Sequence, residues 1–152
     1  MKKALLLIMI SALFMIAACT KDGYTPDLPG NSYFINSTEH TIDQAGRTAN
    51  AIIFKDNAGG SKDAVKVEFN TLPVKGGTYT IVAGSAALTE NQCRVTVTDA
   101  AGGVLYYLGG SDVSAEVIIN TNGKLIVNIP EISVAASLPG TTFKLKGSLY
   151  EL

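Results

Sequence analysis

The chain has 152 residues, of which 12 are basic and 13 acidic, and its formal net charge is −1 at pH 7. This length fits one ordinary domain, and a near-neutral charge without a basic patch argues against a nucleic-acid partner. The hydrophobic content of 47% is raised by an apolar N-terminal run, so it does not indicate a membrane-spanning protein.

The N-terminal segment has the pattern of a secretory signal. The chain starts with Met-Lys-Lys, and residues 4–18 are apolar apart from Ser11. A basic start, a short apolar run and small residues before the cut are typical of a signal peptide. The run is shorter than the roughly 20 residues that a membrane-spanning helix needs. We therefore predict that residues 1–18 form a signal helix, cleaved between Ala18 and Cys19.

The residues around this cut resemble the lipobox of bacterial lipoproteins. That motif is an aliphatic residue, two small residues and a cysteine, and residues 16–19 read Ile-Ala-Ala-Cys. The resemblance implies a diacylglycerol on the sulfur of Cys19 and an acyl chain, such as palmitate, on its new amino group, with no other cofactor. Two or more acyl chains anchor a protein stably, so we expect a membrane partner through the lipid.

Residues 19–31 are predicted to be the lipidated cysteine and a flexible tether, because this stretch is polar and contains two prolines. By resemblance to lipoprotein sorting in diderm bacteria, Thr20 favours the outer membrane. Lys21 and Asp22 resemble short export signals of surface lipoproteins in Bacteroidetes-type bacteria. Both the periplasmic face and the cell surface stay open.

Residues 32–152 have the pattern of a single all-β domain. Val65, Val67 and Phe69 alternate with polar residues, which indicates a strand with one wet face. The predicted strands are 33–35, 52–55, 64–70, 78–83, 92–98, 104–108, 113–120, one from Leu125 through Pro130, and one from Phe143 onward. We predict an antiparallel β-sandwich of eight to ten short strands, with a small β-barrel as the alternative.

Glycine-rich turns separate these strands. Residues 56–60 and 99–103 share an Asp-x-Ala-Gly-Gly pattern, which suits hairpin loops with glycine at positive φ. The pair Asn122-Gly123 is the strongest short hairpin signal in the chain. At Pro130 the apolar positions change parity, which predicts a bulge or a strand that turns a corner.

Cys93 and His40 carry the side chains most suited to nucleophilic, acid–base or metal chemistry. Cys93 shares a face with apolar neighbours, so we predict a buried apolar group rather than a reactive thiol. His40 is the one histidine, and no His/Cys cluster for zinc accompanies it. A triad of His40 with Asp43 lacks a nucleophile elbow, so we predict a solvated loop histidine.

Carboxylates give two weak signals. Asp56, Asn57 and Asp63 form an oxygen-rich loop and are a weak calcium candidate, but ordinary turn chemistry explains them, and we predict no metal. Glu68 and Glu116 lie on polar strand faces, whereas a glycosidase needs two carboxylates that face each other across a cleft. We therefore predict that the protein is not an enzyme.

Adjacent Tyr106 and Tyr107 are predicted to face opposite sides of a strand, so one packs in the core while the other is exposed, either as ordinary surface or as a contact for a ligand such as a glycan. Residues 72–73, 77–80 and 143–145, with Asn122-Gly123-Lys124, resemble segments of small uncharacterised β-rich lipoproteins of Bacteroidetes-type bacteria, which implies no activity.

We predict a lipid-anchored cell-envelope lipoprotein whose non-catalytic β-sandwich binds an unidentified glycan or protein. The alternative is a structural or accessory subunit of a surface complex or fibre. A carbohydrate-active enzyme is the less favoured alternative.

Overall fold

The computed structural model describes residues 30–56, 64–99, 101–137 and 139–152. Within these ranges the chain is all-β, as predicted, and its strands join in one sheet. None of the ranges contains a helix that could cross a membrane. The predicted signal helix, the cleavage site at Ala18, the lipid attachment site at Cys19 and most of the tether lie outside them.

The described ranges contain eleven strands, slightly more than the eight to ten predicted. They are β1 (Ser32–Ile35), β2 (Thr38–Thr41), β3 (Gln44–Arg47), β4 (Ala51–Lys55), β5 (Ala64–Phe69), β6 (Gly77–Ile81), β7 (Gln92–Thr98), β8 (Val104–Tyr107), β9 (Ser114–Ile119), β10 (Leu125–Ala135) and β11 (Phe143–Tyr150). The additional strands are β2 and β3, which lie between the predicted strands 33–35 and 52–55.

The strands follow the hydrogen-bonded order β2-β1-β11-β10-β9-β6-β7-β5-β4-β3, and β8 pairs with both β7 and β10. Among the described strands, β6 and β7 form a parallel pair, with Thr80 opposite Gln92 and Ile81 opposite Cys93. The other pairs are antiparallel. The antiparallel prediction is therefore wrong for this one pair. Residues 82–91 return the chain to the end of the sheet at which β6 starts, so β7 runs in the same direction as β6.

The sheet folds over on itself to enclose one core. We call β2, β1, β11 and β10 the β11 half, and β7, β5, β4 and β3 the β7 half. Tyr33 and Leu145 of the β11 half share a buried cluster with Phe54 and Val95 of the β7 half. Burying each such side chain stabilises the fold by about 1.5–3 kcal/mol. The two halves are continuous through β6, β8 and β9, and the pairings β10-β9-β6-β7-β8-β10 close a ring, so the fold combines features of the predicted sandwich and of the alternative barrel.

The edge strands β2 and β3 are consecutive parts of one stretch that passes from one half to the other. At the corner, the N–H of Ile42 donates to the carbonyl of Asn31 in the β11 half, and that of Asp43 donates to Lys55 in the β7 half. The chain therefore turns a corner between the halves here. At Pro130, β10 shows a register shift between Ile129 and Ile132, which confirms the predicted bulge, and its neighbour changes from β9 before the bulge to β8 after it.

The predicted turns are also present where the chain is described. Gly123 has a φ of 72° in the β9–β10 turn, and Gly102 has a φ of 85° in the β7–β8 turn. Asp99 closes the latter loop, because its carboxylate accepts a hydrogen bond of 2.7 Å from the N–H of Gly103. The similar turn at 56–60 lies mostly outside the described residues.

Two polar contacts fix the ends of the domain. Asn31 exchanges two side-chain hydrogen bonds of 2.9 Å with the backbone of Tyr150, so the chain enters the fold beside β11. Arg47 on β3 forms a two-point ion pair with Glu151 and donates a hydrogen bond of 2.7 Å to the carbonyl of Gly123. This second contact joins the β7 half to the end of the β11 half.

Candidate functional site

A cleft of about 700 Å³ opens on the outer face of the β7 half. Strand β7 explains why this face is polar. Its residues Cys93, Val95 and Val97 point into the core, so Arg94 and its alternate neighbours Thr96 and Thr98 point outward into the cleft. The predicted bounds of this strand, 92–98, are confirmed.

The register of four strands arranges the cleft floor in cross-strand rows. Ile53 lies opposite Lys66, Lys66 opposite Thr96, and Thr96 opposite Tyr106. A row of four adjacent strands spans roughly 14 Å at the usual spacing between strands. The cleft therefore presents an apolar residue, a cation, a hydroxyl and an aromatic ring in one line.

A second row carries most of the charge. Glu68 lies opposite Arg94, and its two carboxylate oxygens face different cations. Lys66 Nζ is 3.0 Å from Glu68 Oε2, and Arg94 Nη1 is 3.5 Å from Glu68 Oε1. The three side chains thus form a fixed cluster with a net charge of +1 at neutral pH, which we call the charge cluster.

The loop of residues 82–91 forms the rim of the cleft beside the charge cluster. Gly84 and Ser85 line the cleft, and Arg94 Nη2 donates a hydrogen bond to the carbonyl of Ala86. A smaller polar cavity of about 230 Å³ is lined by other residues of the loop and shares Glu68, Ser85 and Arg94 with the cleft. Because the loop carbonyl holds the guanidinium, the orientation of Arg94 is set before any ligand arrives.

The two tyrosines of β8 face opposite ways, as predicted. Tyr107 is 5% exposed and its hydroxyl donates a hydrogen bond of 2.8 Å to the carbonyl of Ser111. Tyr106 is 49% exposed and lines the cleft, and its neighbour on that face, Val104, is 37% exposed. The end of the cleft at β8 therefore offers an apolar, aromatic surface.

His40 corrects a prediction. It lies on strand β2 rather than in a solvated loop, because the register places it opposite Tyr33 and the two rings stack with centroids 4.8 Å apart. Its Nδ1 is 3.5 Å from a carboxylate oxygen of Asp56, and its side chain is largely buried. These contacts give His40 a packing role between β2 and the end of β4.

The calcium candidate is described only at Asp56, which contacts His40. Asn57 and Asp63 lie outside the described residues. In the part of the chain that the structure describes, no group of three His, Cys, Asp or Glu side chains is placed to hold a metal ion.

Cys93 is fully buried, which confirms the prediction of an apolar core residue. Burial raises the pKa of its thiol to about 12. The thiolate is the nucleophilic form, so the buried thiol is protonated and unreactive at neutral pH.

Glu68 and Glu116 do not face each other. Glu68 lines the cleft on β5, whereas Glu116 on β9 accepts a hydrogen bond of 3.1 Å from Asn128 on β10. In the sheet order, β7 and β6 stand between their strands. Glu68 is the one carboxylate among the described residues that line the cleft.

The outer face of the β11 half holds a smaller groove, of about 310 Å³, beside the bulge of β10. It is lined by Phe34, Pro130 and Lys146, among others. Lys146 lies opposite Phe34 in the register, and its Nζ is 5.6 Å from the centre of the phenyl ring. The ring of Phe34 is thus covered by a neighbouring cation.

Comparison of the chain with protein-family models, with curated proteins and with solved structures found no match. The cleft therefore has to be interpreted from its own residues. Of these, the sequence singles out Tyr106 and Glu68 but not Lys66, Arg94 or Thr96. The sequence shows that the last three residues alternate with apolar ones within their strands, but it does not show the register that brings them together.

Proposed function

We propose that this protein is a lipid-anchored cell-envelope protein whose β domain binds a ligand in the cleft of the β7 half and has no catalytic role. The observation that carries the binding role is the cleft itself. Ligand sites are concave, combine apolar surface with a few placed polar groups and are largely formed in advance. The cleft has these properties, with Tyr106 and Val104 at one end and the charge cluster at the other.

The anchoring part of the proposal rests on the lipobox-like residues 16–19 and on a polar tether that leads to Asn31. The outer membrane is the proposed location, with the domain at its periplasmic face or at the cell surface. The non-catalytic part rests on Glu68, because both of its oxygens are engaged by cations and it has no second carboxylate beside it among the described lining residues.

Anchoring is tested by labelling the native host with a palmitate analogue and separating membranes from soluble protein. The wild-type chain should carry the label and stay with the outer membrane, whereas Cys19→Ala should lose both properties. An unlabelled wild-type chain, or an unchanged membrane fraction for Cys19→Ala, would refute the lipid anchor. Protease treatment of intact cells, with periplasmic and surface controls, then decides between the two faces of the membrane.

Binding is tested by nuclear magnetic resonance of the isotope-labelled full chain in detergent, titrated with fractions of the cell envelope. Amide signals of cleft residues such as Lys66, Arg94 and Tyr106 should shift, while signals around Phe34 and Lys146 on the other half should not. If no fraction shifts the cleft signals, the binding role of the cleft is wrong.

An accessory subunit is the second candidate, because β2 and β3 end the sheet order and each has one side without a strand partner in the described ranges. A strand of another chain can pair with such an edge. Against this, Glu39 on β2 and Arg47 on β3 place charges on the edge strands, which is how proteins discourage such pairing. Crosslinking from Thr41 or Gln44 to another envelope protein would favour this alternative.

A further inference from the structure

We infer that the ligand of the cleft is a neutral oligosaccharide that stacks on Tyr106 and hydrogen-bonds through its hydroxyl groups to the charge cluster. This inference rests on the proposed binding function and names its ligand class. It is built from the two ends of the cleft and from the cross-strand row between them.

The β8 end fits the apolar face of a sugar ring. A pyranose carries C–H groups on its faces and hydroxyl groups around its rim, so it can lie on an aromatic ring while its rim remains polar. Tyr106 offers such a ring, with 49% of its surface exposed, and Val104 extends the apolar area on the same strand face. Tyrosine suits this role because it presents a large area with few rotatable bonds.

The charge cluster fits the hydroxyl groups at the rim. A hydroxyl both donates and accepts hydrogen bonds, so it needs acceptors and donors side by side. Glu68 has about four lone-pair positions and Lys66 three donors, so each retains capacity beyond the contact that joins them. Arg94 is held by Ala86 and Glu68, which limits the entropy lost when a ligand binds.

Thr96 and Thr98 connect the two ends. Thr96 lies between Lys66 and Tyr106 in one row, and Thr98 lies between Ala64 and Val104 in the next. Their hydroxyl groups continue the polar surface toward the aromatic end. The row is long enough for a chain of linked sugars rather than a single ring.

Other ligand classes fit less well. An anion such as phosphate would meet Glu68 between the two cations, and the net charge of the cluster is only +1. An extended peptide that adds a strand to the sheet needs a free strand edge, but β5 lies between β4 and β7, and β7 between β5 and β8. An acyl chain would have to bury the charged side chains of Lys66 and Glu68, which costs free energy.

The experiment is a glycan array of neutral and acidic oligosaccharides, probed with the full chain in detergent, followed by calorimetry with the strongest binder. We expect neutral glycans to bind, with saturable calorimetric curves. Tyr106→Ala should weaken binding at least about fivefold, while Tyr106→Phe should keep it, because stacking needs the ring and not the hydroxyl. Glu68→Gln should also weaken binding.

Phe34→Ala is the matched aromatic control for Tyr106→Ala, because Phe34 lies on the outer face of the other half. Circular dichroism establishes that each variant is folded, and Tyr106→Phe and Glu68→Gln preserve shape if an alanine variant fails to fold. Equal affinities for wild type and Tyr106→Ala would overturn the inference.

The outcomes separate the ligand class from the binding function. Binding of acidic glycans or inorganic phosphate alone would overturn the inference while keeping the cleft as a binding site. If no neutral glycan binds but an envelope fraction shifts the resonance signals of the cleft residues, the inferred ligand class is likewise wrong while the cleft remains a binding site. No binding and no cleft shifts would refute both proposals.

Discussion

The outer faces of the two halves are built from the same kind of strand but present different surfaces. In the β11 half, Lys146 covers the ring of Phe34, and the bulge at Pro130 interrupts the rows. In the β7 half, regular register across β4, β5, β7 and the adjoining β8 leaves Tyr106 of β8 open beside a charge cluster. The comparison teaches that an aromatic residue becomes a contact surface through its cross-strand neighbours, rather than through its own position on a strand.

The largest expected loss of stability distinguishes an aromatic residue on the inner face of the sheet from one on the outer face. Phe54→Ala removes a fully buried ring from the β7 half and should cost about 3–5 kcal/mol of unfolding free energy. Phe34→Ala, on the outer face of the β11 half, should cost clearly less because its ring is partly exposed. Urea unfolding of both variants measures the difference, and equal losses would contradict the assignment of the two faces.

The next largest difference in stability is expected between alanine substitutions at one glycine of each half. A Cβ on Gly147 in β11 would lie 2.8 Å from the Cβ of Tyr33 and 3.0 Å from the carbonyl oxygen of Ser32. Gly147→Ala must therefore move β1 and should cost about 1–3 kcal/mol. Gly46→Ala on edge strand β3 meets no atom within 4 Å and should be neutral or slightly stabilising.

Thermal or urea unfolding distinguishes these glycine variants. A stability loss for Gly46→Ala as large as that for Gly147→Ala would show that backbone conformation, and not the close approach of β1 to β11, determines the cost.

Alkaline pH tests the buried thiol of the β7 half. Burial raises the pKa of Cys93 to about 12 from an ordinary value of 9.0, so the folded state holds its proton longer than the unfolded state. Its contribution to stability is full below about pH 9 and is lost as pH rises toward about 12. Wild type should therefore lose more stability across this window than Cys93→Ala. Parallel pH profiles of the two proteins would contradict the prediction.

The smallest expected change in stability concerns the ion pair of Arg47 with Glu151, which joins the two halves. Burial raises the pKa of Glu151, but hydrogen bonds from Arg47 and the N–H of Leu125, with the charges of Arg47 and Lys124, outweigh it and lower the pKa below its ordinary value. The stabilisation is therefore present above the unfolded-state pKa and is lost as pH falls through the lower folded-state pKa.

Glu151→Gln should cost about 1 kcal/mol or less at neutral pH, since Arg47 is partly exposed. The difference from wild type should shrink as pH falls through the lowered folded-state pKa, because the carboxyl group then becomes protonated in both states. Urea unfolding across the acidic range measures it. A difference that persists in acid would mean that the carboxylate charge is not what stabilises the contact.

The sequence was sufficient where local pattern determines structure. Alternation over Cys93, Val95 and Val97 predicted strand β7 and its buried face, and Asn122-Gly123 predicted the β9–β10 hairpin. Strands β2 and β3 were not predicted because they are short and mostly exposed at the sheet edge, so they lack apolar alternation.

The pairing of strands that are distant in the sequence could not be predicted from the local residue pattern. The parallel pair of β6 and β7 depends on how residues 82–91 return, and the stacking of His40 on Tyr33 depends on the register of β1 and β2. The charge cluster likewise needs β5 and β7 side by side. A candidate site of this kind is a property of register, which single-strand patterns do not contain.

The contact of Asn31 with Tyr150 has a mechanical consequence. Under the lipid-anchor proposal, a pull on the tether would enter the fold at Asn31 and load its bonds to Tyr150 first. Beyond it, β1 pairs with β11 over four residue pairs whose hydrogen bonds run across the strands. A pull along the axis of β1 would load these bonds together in shear instead of opening them one after another. The strand that would carry such a load lies on the opposite half from the cleft.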